Sequence, residues 1–324
     1  MTLSKLAQLA NVSVAVVSKA FAGKDGVSEA MREHVFAVAK EHGCFQQFYH
    51  ARYDKPVIAV IIPEAISKYY IHYIETLKKD IEENGYTMLL SINNFDAQLT
   101  EDLVRYYSEH IKVDGLILVG SKLDFSFACE TALISISSPN ELKLGSYINH
   151  SLKKGVRECI EYLYENGHRD IAYIGEPLTE GKEDFIISEM EAHGLEIRKE
   201  WFISSRSRFE DAGKDGVKQI MSLDGKKPSA MIGSYGYITQ GIISALEEMG
   251  LSVPEDMSVI SMDNDPFPIH HSLDVAHIPS ATDELCAEAM KLLHCRIKND
   301  RVNIAQSVNV DSCFIKGNTV KKIN

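Results

Sequence analysis

The stretch TLSKLAQLANVSVAVVSKAFA, residues 2–22, holds two short helical patterns on either side of Asn11-Val12-Ser13. Apolar residues recur at helical spacing from Leu3 to Ala10, and Ser4 offers a hydroxyl to the free amides of the first turn. Asn11 tolerates the left-handed conformation that a sharp reversal needs, and Ser13 is a favoured N-cap for the second helix. The stretch therefore predicts a helix, a turn and a second helix.

The second helix has a small outward face. Val17, Ala20 and Phe21 fall on one apolar stripe, and the outward face is left to four other residues: Val14, Ala15, Ser18 and Lys19. A slim face with free backbone amides at its N-terminus and one cation suits the major groove of DNA. On this stretch alone, a helical hairpin without a role in nucleic-acid binding is an equally good interpretation.

A third helix follows closely. Gly23-Lys24-Asp25-Gly26 predicts a loop and Ser28 an N-cap, and the helix ends before Gly43. Its apolar stripe consists of Met31, Val35, Phe36, Val38 and Ala39. Three helices in so short a stretch predict a compact headpiece over residues 1–45.

The segments Ala10–Ser13, Val14–Lys19, Ala22-Gly23 and Val27-Ser28 resemble the headpiece of the LacI/GalR family of bacterial transcription regulators. The family has Ala-Gly-Val-Ser, Val-Ala-Thr-Val-Ser-Arg, Asn-Gly and Val-Ser at these places, so Val16, Lys19 and Ala22 replace Thr, Arg and Asn. Lysine cannot form the rigid two-pronged guanine contact of arginine, so the operator sequence cannot be inferred. The resemblance implies that these headpiece residues contact DNA: Ser4, Ser13, Val14, Ala15, Val16, Ser18 and Lys19.

Composition sets the broad class. The chain has 324 residues, 45% hydrophobic residues and a net charge of −12, which is typical of a globular protein of two or three domains. Residues 1–55 hold seven basic and five acidic residues, so the acidic excess lies in the rest of the chain. The six cysteines have no Cys-x-x-Cys spacing, and neither a signal peptide nor a membrane span is apparent, so we expect a cytoplasmic protein.

Residues 46–56 are predicted to form a hinge. In the family a short hinge helix enters the minor groove through a Leu wedge, but only Ala51-Arg52 matches that pattern here. Arg52 is expected to contact DNA, and either Tyr53 or Tyr49 supplies the wedge or the protein lacks one. Packing of these aromatic residues between headpiece and body is an equally good interpretation.

From Val57 onward strands and helices alternate. Continuous apolar strands between amphipathic helices predict parallel sheets covered on both faces. The predicted strands are 57–62, 86–92, 115–119, 171–174, 201–204, 230–232, 258–262, 306–310 and 313–315. The predicted helices are 69–84, 98–111, 152–166, 183–193, 210–222, 238–249 and 282–298.

Two successive α/β halves resemble the periplasmic-binding-protein fold that the family uses as its body. Segments 113–118, 167–175 and 253–260 are similar to its internal signatures. The resemblance implies an effector-binding and dimerisation body over residues 57–324. We expect lobe one to comprise residues 57–167 and 279–303, and lobe two residues 168–278 and 304–319.

Ligands of open parallel sheets bind beyond the carboxyl ends of the strands. That rule selects Glu64, Ser121, Glu176, Tyr235 and the pair Asp263-Asn264, and of these Asp263 is the strongest candidate. Hydroxyls, carboxylates and aromatic rings suit a sugar, although Asp263 could instead cap a loop.

Family effector positions extend this set. By resemblance they fall on Tyr69, Tyr70, Ser151, Lys182 and Tyr235, beside Asp263 and Asn264. Lys182 stands for an Arg, Ser151 for an Asp, and Tyr235-Gly236 for an Asn-Asp pair. Two interpretations follow: the effector is a different small molecule, with Lys182 favouring a phosphorylated or acidic sugar, or the pocket is unused and a protein partner exerts control.

The sequence therefore predicts a ligand-responsive regulator, most simply a repressor of carbohydrate uptake or catabolism genes that binds a two-fold operator as a homodimer. By resemblance, helices 69–84 and 282–298 form the dimer contact. Enzyme, metal-site and cofactor motifs are absent, and His270-His271 is expected in a surface loop. A sugar-binding module without DNA activity is the rival hypothesis.

Overall fold

A computed structural model describes residues 1–48, 56–121, 131–137, 145–264, 268–270, 272–298 and 306–323. The chain divides into two units, Met1–Pro56 and Val57–Asn324. No helix in the described ranges is both long enough and apolar enough to cross a membrane.

The smaller unit contains the helices α1 (Leu3–Leu9), α2 (Val14–Phe21), α3 (Glu29–Glu41) and α4 (Phe45–Phe48). Asn11 has a φ of 52°, as the predicted turn requires. The hydroxyls of Ser13 and Ser28 accept hydrogen bonds from the backbone N–H groups of the third residues of α2 and α3, Val16 and Met31, at 3.2 and 3.3 Å. The expectation that Ser4 supplies this hydroxyl for α1 is wrong, because Ser4 lies inside the helix and Thr2 is the N-cap.

Small apolar residues and phenylalanines form the core of this unit. Val17 and Ala20 are buried, and Phe21 contacts the rings of Phe36, Phe45 and Phe48 with centroids 5.0–5.9 Å apart. Met31 was predicted in the apolar stripe of α3, but it is 37% exposed because the stripe turns away from it toward Val35 and Ala39. Arg32 further joins two helices by donating from Nη1 to the carbonyl of Ala20 at 3.1 Å.

The predicted hinge begins later than expected. Residues 46–48 are part of α4, and Phe48 packs into the core of the smaller unit. The rest of the predicted hinge up to residue 55, including Tyr49, Arg52 and Tyr53, lies outside the described residues. Their roles therefore stay predictions.

Lobe one of the larger unit is built on a parallel sheet whose strands lie in the order β11-β5-β4-β3-β1-β2. Its strands are β1 (Val57–Ile62), β2 (Thr87–Ile92), β3 (Gly115–Val119), β4 (Ala132–Ile136), β5 (Ser146–Ser151) and β11 (Ser307–Asp311). Its helices are α5 (Lys68–Glu83), α6 (Ala97–Arg105), which continues as a π-helical segment (Tyr106–Ile111), and α11 (Thr282–Lys298).

Lobe two holds a second parallel sheet, in the order β10-β9-β8-β6-β7. Its strands are β6 (Ile171–Gly175), β7 (Phe202–Ser204), β8 (Ala230–Gly233), β9 (Ser258–Asn264) and β10 (Ala276–Pro279). Its helices are α7 (Lys153–Glu165), α8 (Lys182–Ala192), α9 (Phe209–Ser222) and α10 (Gly236–Glu248).

Helices cover both faces of each sheet. In β1, Ile58 and Val60 pack with α5 and α11 on one face, while Ala59 and Ile61 pack with α6 on the other. Four buried clusters thus replace a single core, and the prediction of parallel sheets with helices on both faces is confirmed.

Three strands were missed and one was wrongly predicted. The sequence reading passed over β4, β5 and β10, the last two because their polar residues at the sheet ends break the apolar pattern. The strand predicted at residues 313–315 is reduced to one antiparallel bridge between His277 and Ile315.

The chain crosses between the lobes at three places, and two elements lie in the lobe opposite to the one expected. The buried face of α7 packs into the core of lobe two, and β11 pairs with β5 in lobe one. The crossings therefore lie near Leu152, Ser280 and Ser312. β11 is placed in lobe one by its pairing with β5 and by the packing of Val308 and Val310 against the lobe-one core.

Helices α9 and α10 approach each other closely. A Cβ on Gly213 would lie 2.1 Å from the carbonyl oxygen of Ile238, and one on Gly241 would lie 2.0 Å from that of Glu210. Only glycine permits this backbone contact. It fixes the N-terminus of α9, and with it Arg208, at the carboxyl end of the second sheet.

Candidate functional site

A cleft of about 810 Å³ lies between the lobes, beyond the carboxyl ends of both sheets. The chain delivers lining side chains at or after the carboxyl ends of β1 to β9, which lie at the same edge of each sheet because the strands are parallel. The lining includes Glu64, Tyr69, Tyr70, Asn93, Phe95, Ser121, His150, Glu176, Lys182, Arg208, Phe209, Tyr235 and Asp263.

One wall of the cleft carries an ion pair between Lys182 and Asp263. The Lys182 ammonium donates to Oδ2 of Asp263 and, at 3.0 Å, to the carbonyl of Ser234. Nδ1 of His150 lies 3.2 Å from the other carboxylate oxygen. Burial alone would raise the pKa of Asp263, but Lys182 and His150 outweigh burial and hold that pKa well below its usual range. Asp263 therefore stays ionised, and the charge of Lys182 is already compensated.

A second charged group joins the two lobes. Nη1 and Nη2 of Arg208 donate to the two carboxylate oxygens of Glu64 at 2.9 and 3.1 Å. Nε of Arg208 lies 3.7 Å from Oε2 of Glu176, and the Tyr235 hydroxyl donates to Oε1 of Glu176 at 2.8 Å. The contact with Glu64 raises the pKa of Arg208.

The lobe-one wall is mainly aromatic. The rings of Tyr69 and Tyr70 meet edge to face at 5.0 Å, and Phe95 lies 6.1 Å from Tyr70. Below them Nδ2 of Asn93 donates to the Ser121 hydroxyl at 2.8 Å, which fixes both side chains. Burial raises the pKa of the Tyr70 hydroxyl, so the ring remains neutral.

Several residues of the lining have a strained backbone. Phe95, Ser137, Phe209 and Asp263 have φ values of 60°, 50°, 57° and 40°, which side-chain-bearing residues rarely adopt. Such strain is typical of binding sites, where the surrounding fold imposes it. The cleft therefore combines the position and the strained backbone that are typical of ligand-binding sites.

The face of α2 predicted to contact DNA is open to solvent. Ser13, Val14, Ala15, Ser18 and Lys19 are exposed, as is Ser4 in α1, whereas Val16 is half-buried. Val17, Ala20 and Phe21 point into the core, as the sequence predicts. The outward face therefore consists of small side chains and one lysine.

Two family models match the chain. The model "Bacterial regulatory proteins, lacI family" matches residues 2–45, and "Periplasmic binding protein-like domain" matches residues 160–320. The chain belongs to the LacI family of bacterial regulatory proteins. Membership makes it a DNA-binding transcription regulator and not an enzyme.

Relatives of this LacI-family chain span nearly its whole length. It is 25% identical over 331 residues to the HTH-type transcriptional repressor CytR of Escherichia coli (strain K12), covering 98% of this chain and 96% of CytR. The transcriptional repressor PurR of Salmonella arizonae is 26% identical over 341 residues, with the same coverage.

Solved structures of the LacI family have the same fold. The transcriptional regulator CelR in complex with cellobiose aligns with a TM-score of 0.68 at 20% identity, covering 98% of this chain and 99% of CelR. The lac repressor dimer bound to operator and the anti-inducer ONPF aligns with a TM-score of 0.70 at 19% identity, covering 99% of each chain.

The structure places most of the expected effector residues in the cleft. Those that line it are Glu64, Tyr69, Tyr70, Ser121, Lys182, Tyr235 and Asp263. Ser151 does not, because it follows the last cleft-facing position of β5, where its backbone carbonyl accepts from Ser312. The side chain of Asn264 lies outside the described residues.

Other cleft residues were missed by the sequence reading. Arg208 and Phe209 follow the short strand β7, and Asn93 and Phe95 follow β2, so the strand-end rule would have selected all four had it been applied there. His150 was missed because β5 itself was missed.

No group of histidine, cysteine and carboxylate side chains in the described ranges could hold a metal ion. His270 is partly buried and lies 3.5 Å from Glu247, whereas His271 is outside the described residues.

Proposed function

We propose that this regulator is a repressor controlled by a sugar-sized polyhydroxylated effector in the cleft between the lobes. The supporting observation is the lining itself, which combines aromatic faces for the C–H faces of a sugar with fixed hydroxyl, amide and carboxylate groups for its hydroxyls. Two observations agree with this proposal. CelR, which has the same fold, was solved with cellobiose bound, and the repressors CytR and PurR match nearly the whole length of the chain.

The contacts of Lys182 argue against a phosphorylated or acidic sugar. The Asp263 carboxylate already compensates its ammonium, and Arg208 is engaged by Glu64. A phosphate would have to replace one of these carboxylates and lie near the others, so a ligand without negative charge is favoured.

Calorimetric titration of the full chain with neutral sugars, sugar phosphates and nucleosides tests the effector class. We expect binding by a sugar without a phosphate group. Preferential binding of a sugar phosphate would contradict the charge argument, and absence of binding by every class would favour control by a protein partner.

DNA binding tests the output of this regulator. The DNA is an operator selected from genomic fragments. We expect Lys19→Ala to weaken binding to it about tenfold and to reduce the slope of log affinity against log salt concentration by about 1. Both effects follow from the loss of one cation at a phosphate or a base edge. Fluorescence anisotropy at several salt concentrations measures both. The control is Lys218→Ala on α9, an exposed lysine of the larger unit; equal losses in the two variants would contradict a DNA contact by Lys19.

A homodimer is proposed through the β2 edge of lobe one. β2 lies at the end of the sheet, and exposed apolar residues concentrate on it and on the π-helical segment: Leu89, Leu90, Ile92, Tyr106 and Ile111. This surface differs from the contact by α5 and α11 that the sequence suggested, because those helices pack against each other and against the sheet.

Sedimentation of a Leu90→Glu variant tests this surface. We expect a monomer that binds the operator at least tenfold more weakly, because two headpieces no longer act together. Met249→Glu, at an equally exposed apolar site in lobe two, is the matched control and should remain a dimer. A dimeric Leu90→Glu variant would place the contact elsewhere.

A further inference from the structure

Two carboxylates in the cleft share one guanidinium. Glu64 takes both terminal nitrogens of Arg208, so Glu176 is left with Nε at 3.7 Å, beyond hydrogen-bond distance. Oε2 of Glu176 has no hydrogen-bond partner among the described residues, although the side chain is only 2% exposed. A buried carboxylate oxygen without a donor is costly, and here it lines the ligand cleft.

The rest of the Glu176 carboxylate is held in place. The Tyr235 hydroxyl donates to Oε1 at 2.8 Å and itself accepts from the backbone N–H of Phe209 at 3.2 Å. These bonds orient the carboxylate through Oε1, and Oε2 keeps only the Arg208 Nε at 3.7 Å as a charged neighbour. Burial is the largest influence on Glu176 and raises its pKa, despite the opposing effects of Tyr235, Arg208 and the Phe209 N–H.

The charges of the cleft do not balance within its buried part. Glu64, Glu176 and Asp263 face two cations: Lys182, which pairs with Asp263, and Arg208, which Glu64 binds through two hydrogen bonds and Glu176 approaches only to 3.7 Å. His150 is directed at Asp263. Exposed Lys68 and Glu180 at the rim have opposite charges, so the buried part has one carboxylate more than it has cations, and Glu176 is the carboxylate with the weakest contact to a cation.

We propose that the effector carries a basic amino group that pairs with the Glu176 carboxylate, which makes it an amino sugar. This inference rests on the proposed function, binding of a sugar-sized effector in the cleft. An ammonium supplies both the missing donor and the missing positive charge, whereas a hydroxyl supplies only the donor. An acidic group would face Glu64 and Glu176 together.

Titration of the full chain with matched pairs of sugars tests the inference. Three pairs are monosaccharides: D-glucosamine with D-glucose, D-galactosamine with D-galactose, and D-mannosamine with D-mannose. The fourth pair is the β-1,4-linked dimer of D-glucosamine with cellobiose. In the three monosaccharide pairs one amino group replaces one hydroxyl, and in the disaccharide pair two amino groups replace two hydroxyls. We expect one amino sugar to bind at least about tenfold more tightly than its partner, since a charge-assisted hydrogen bond to a buried group has that value.

The variant Glu176→Gln keeps the shape of the side chain and removes its charge. We expect it to reduce the preference for the amino sugar over its neutral partner to about twofold. Its ligand-free melting temperature and its circular dichroism spectrum show whether it is folded. A second variant, Tyr235→Phe, leaves the charge of Glu176 in place and should retain part of the preference.

Three outcomes overturn the inference. A neutral sugar that binds as tightly as its amino counterpart, or a preference that survives in Glu176→Gln, refutes the amino group but leaves a sugar-controlled regulator. If no sugar of either class binds, the proposed effector class itself is refuted, and the role of Glu176 with it.

Discussion

The two lobes contribute different chemistry to the same cleft. Lobe one supplies mainly aromatic rings and a neutral hydrogen-bonded pair, Asn93 and Ser121, whereas lobe two supplies Glu176, Lys182, Arg208 and Asp263. Glu64 and His150 are exceptions, since both extend from lobe one: Glu64 binds the guanidinium of Arg208, and His150 lies 3.2 Å from the carboxylate of Asp263.

This difference separates the strength of binding from its selectivity. Apolar ring faces gain free energy from almost any ligand with C–H faces, because burial of apolar surface is not directional. Fixed charges select by sign and geometry, because a wrongly placed group leaves a buried charge unpaired. We therefore expect lobe-one substitutions to change affinity for all ligands alike and lobe-two substitutions to change which ligand binds.

The largest effect is expected for Asp263→Ala in lobe two. The substitution leaves the Lys182 ammonium without its carboxylate, which should destabilise the body by about 3 kcal/mol and abolish effector binding. Urea denaturation and calorimetric titration measure the two effects. Because the cost comes from an unpaired charge, the double variant Asp263→Ala/Lys182→Met should recover most of the stability but should not bind the effector. If the free energy of unfolding of Asp263→Ala falls by less than about 1 kcal/mol, a buried ion pair is contradicted.

An intermediate effect is expected for Tyr70→Ala in lobe one. Removal of the ring should weaken all cleft ligands by about tenfold, in line with 1–2 kcal/mol for an aromatic contact, while Tyr70→Phe should stay within about twofold. Titration of each variant with one amino sugar and its neutral partner measures this. A change in the ratio of the two affinities would break the division of labour between the lobes.

The smallest effect is expected for the ligand-free stability of Glu176→Gln. Because folding raises the pKa of this carboxyl, wild type should lose stability as pH rises above about 4.5, where Glu176 would ionise freely in the unfolded chain. The glutamine variant lacks that loss, so its stability relative to wild type should increase from pH 4 to pH 7. Thermal unfolding at both pH values measures it.

The control for this pH series is Glu180→Gln, which removes an exposed carboxylate from the same cleft. A relative stability of Glu176→Gln that falls with pH would show that Arg208 stabilises the ionised carboxylate more than burial destabilises it.

The sequence was most informative where a local rule decides the structure. The caps Ser13 and Ser28 and the turn at Asn11 follow from backbone chemistry within three or four residues, and each is confirmed. The strand-end rule found Glu64, Tyr235 and Asp263 because their strands were recognised as apolar runs. It missed His150 because β5 is polar and was not recognised, and it missed Arg208 because the rule was not applied after the predicted strand at 201–204, where Arg208 lies four residues beyond β7.

By itself the sequence determined the headpiece helices, the alternating α/β body and membership of the LacI family, because capping, apolar periodicity and motif spacing are local properties of the chain. Only the tertiary structure decided that α7 lies in lobe two and β11 in lobe one, and that Lys182 is bound by Asp263 while Glu176 lacks a full partner. Pairing across a sheet or a cleft joins residues far apart in the chain, here 81 positions for Lys182 and Asp263, and no local pattern records it.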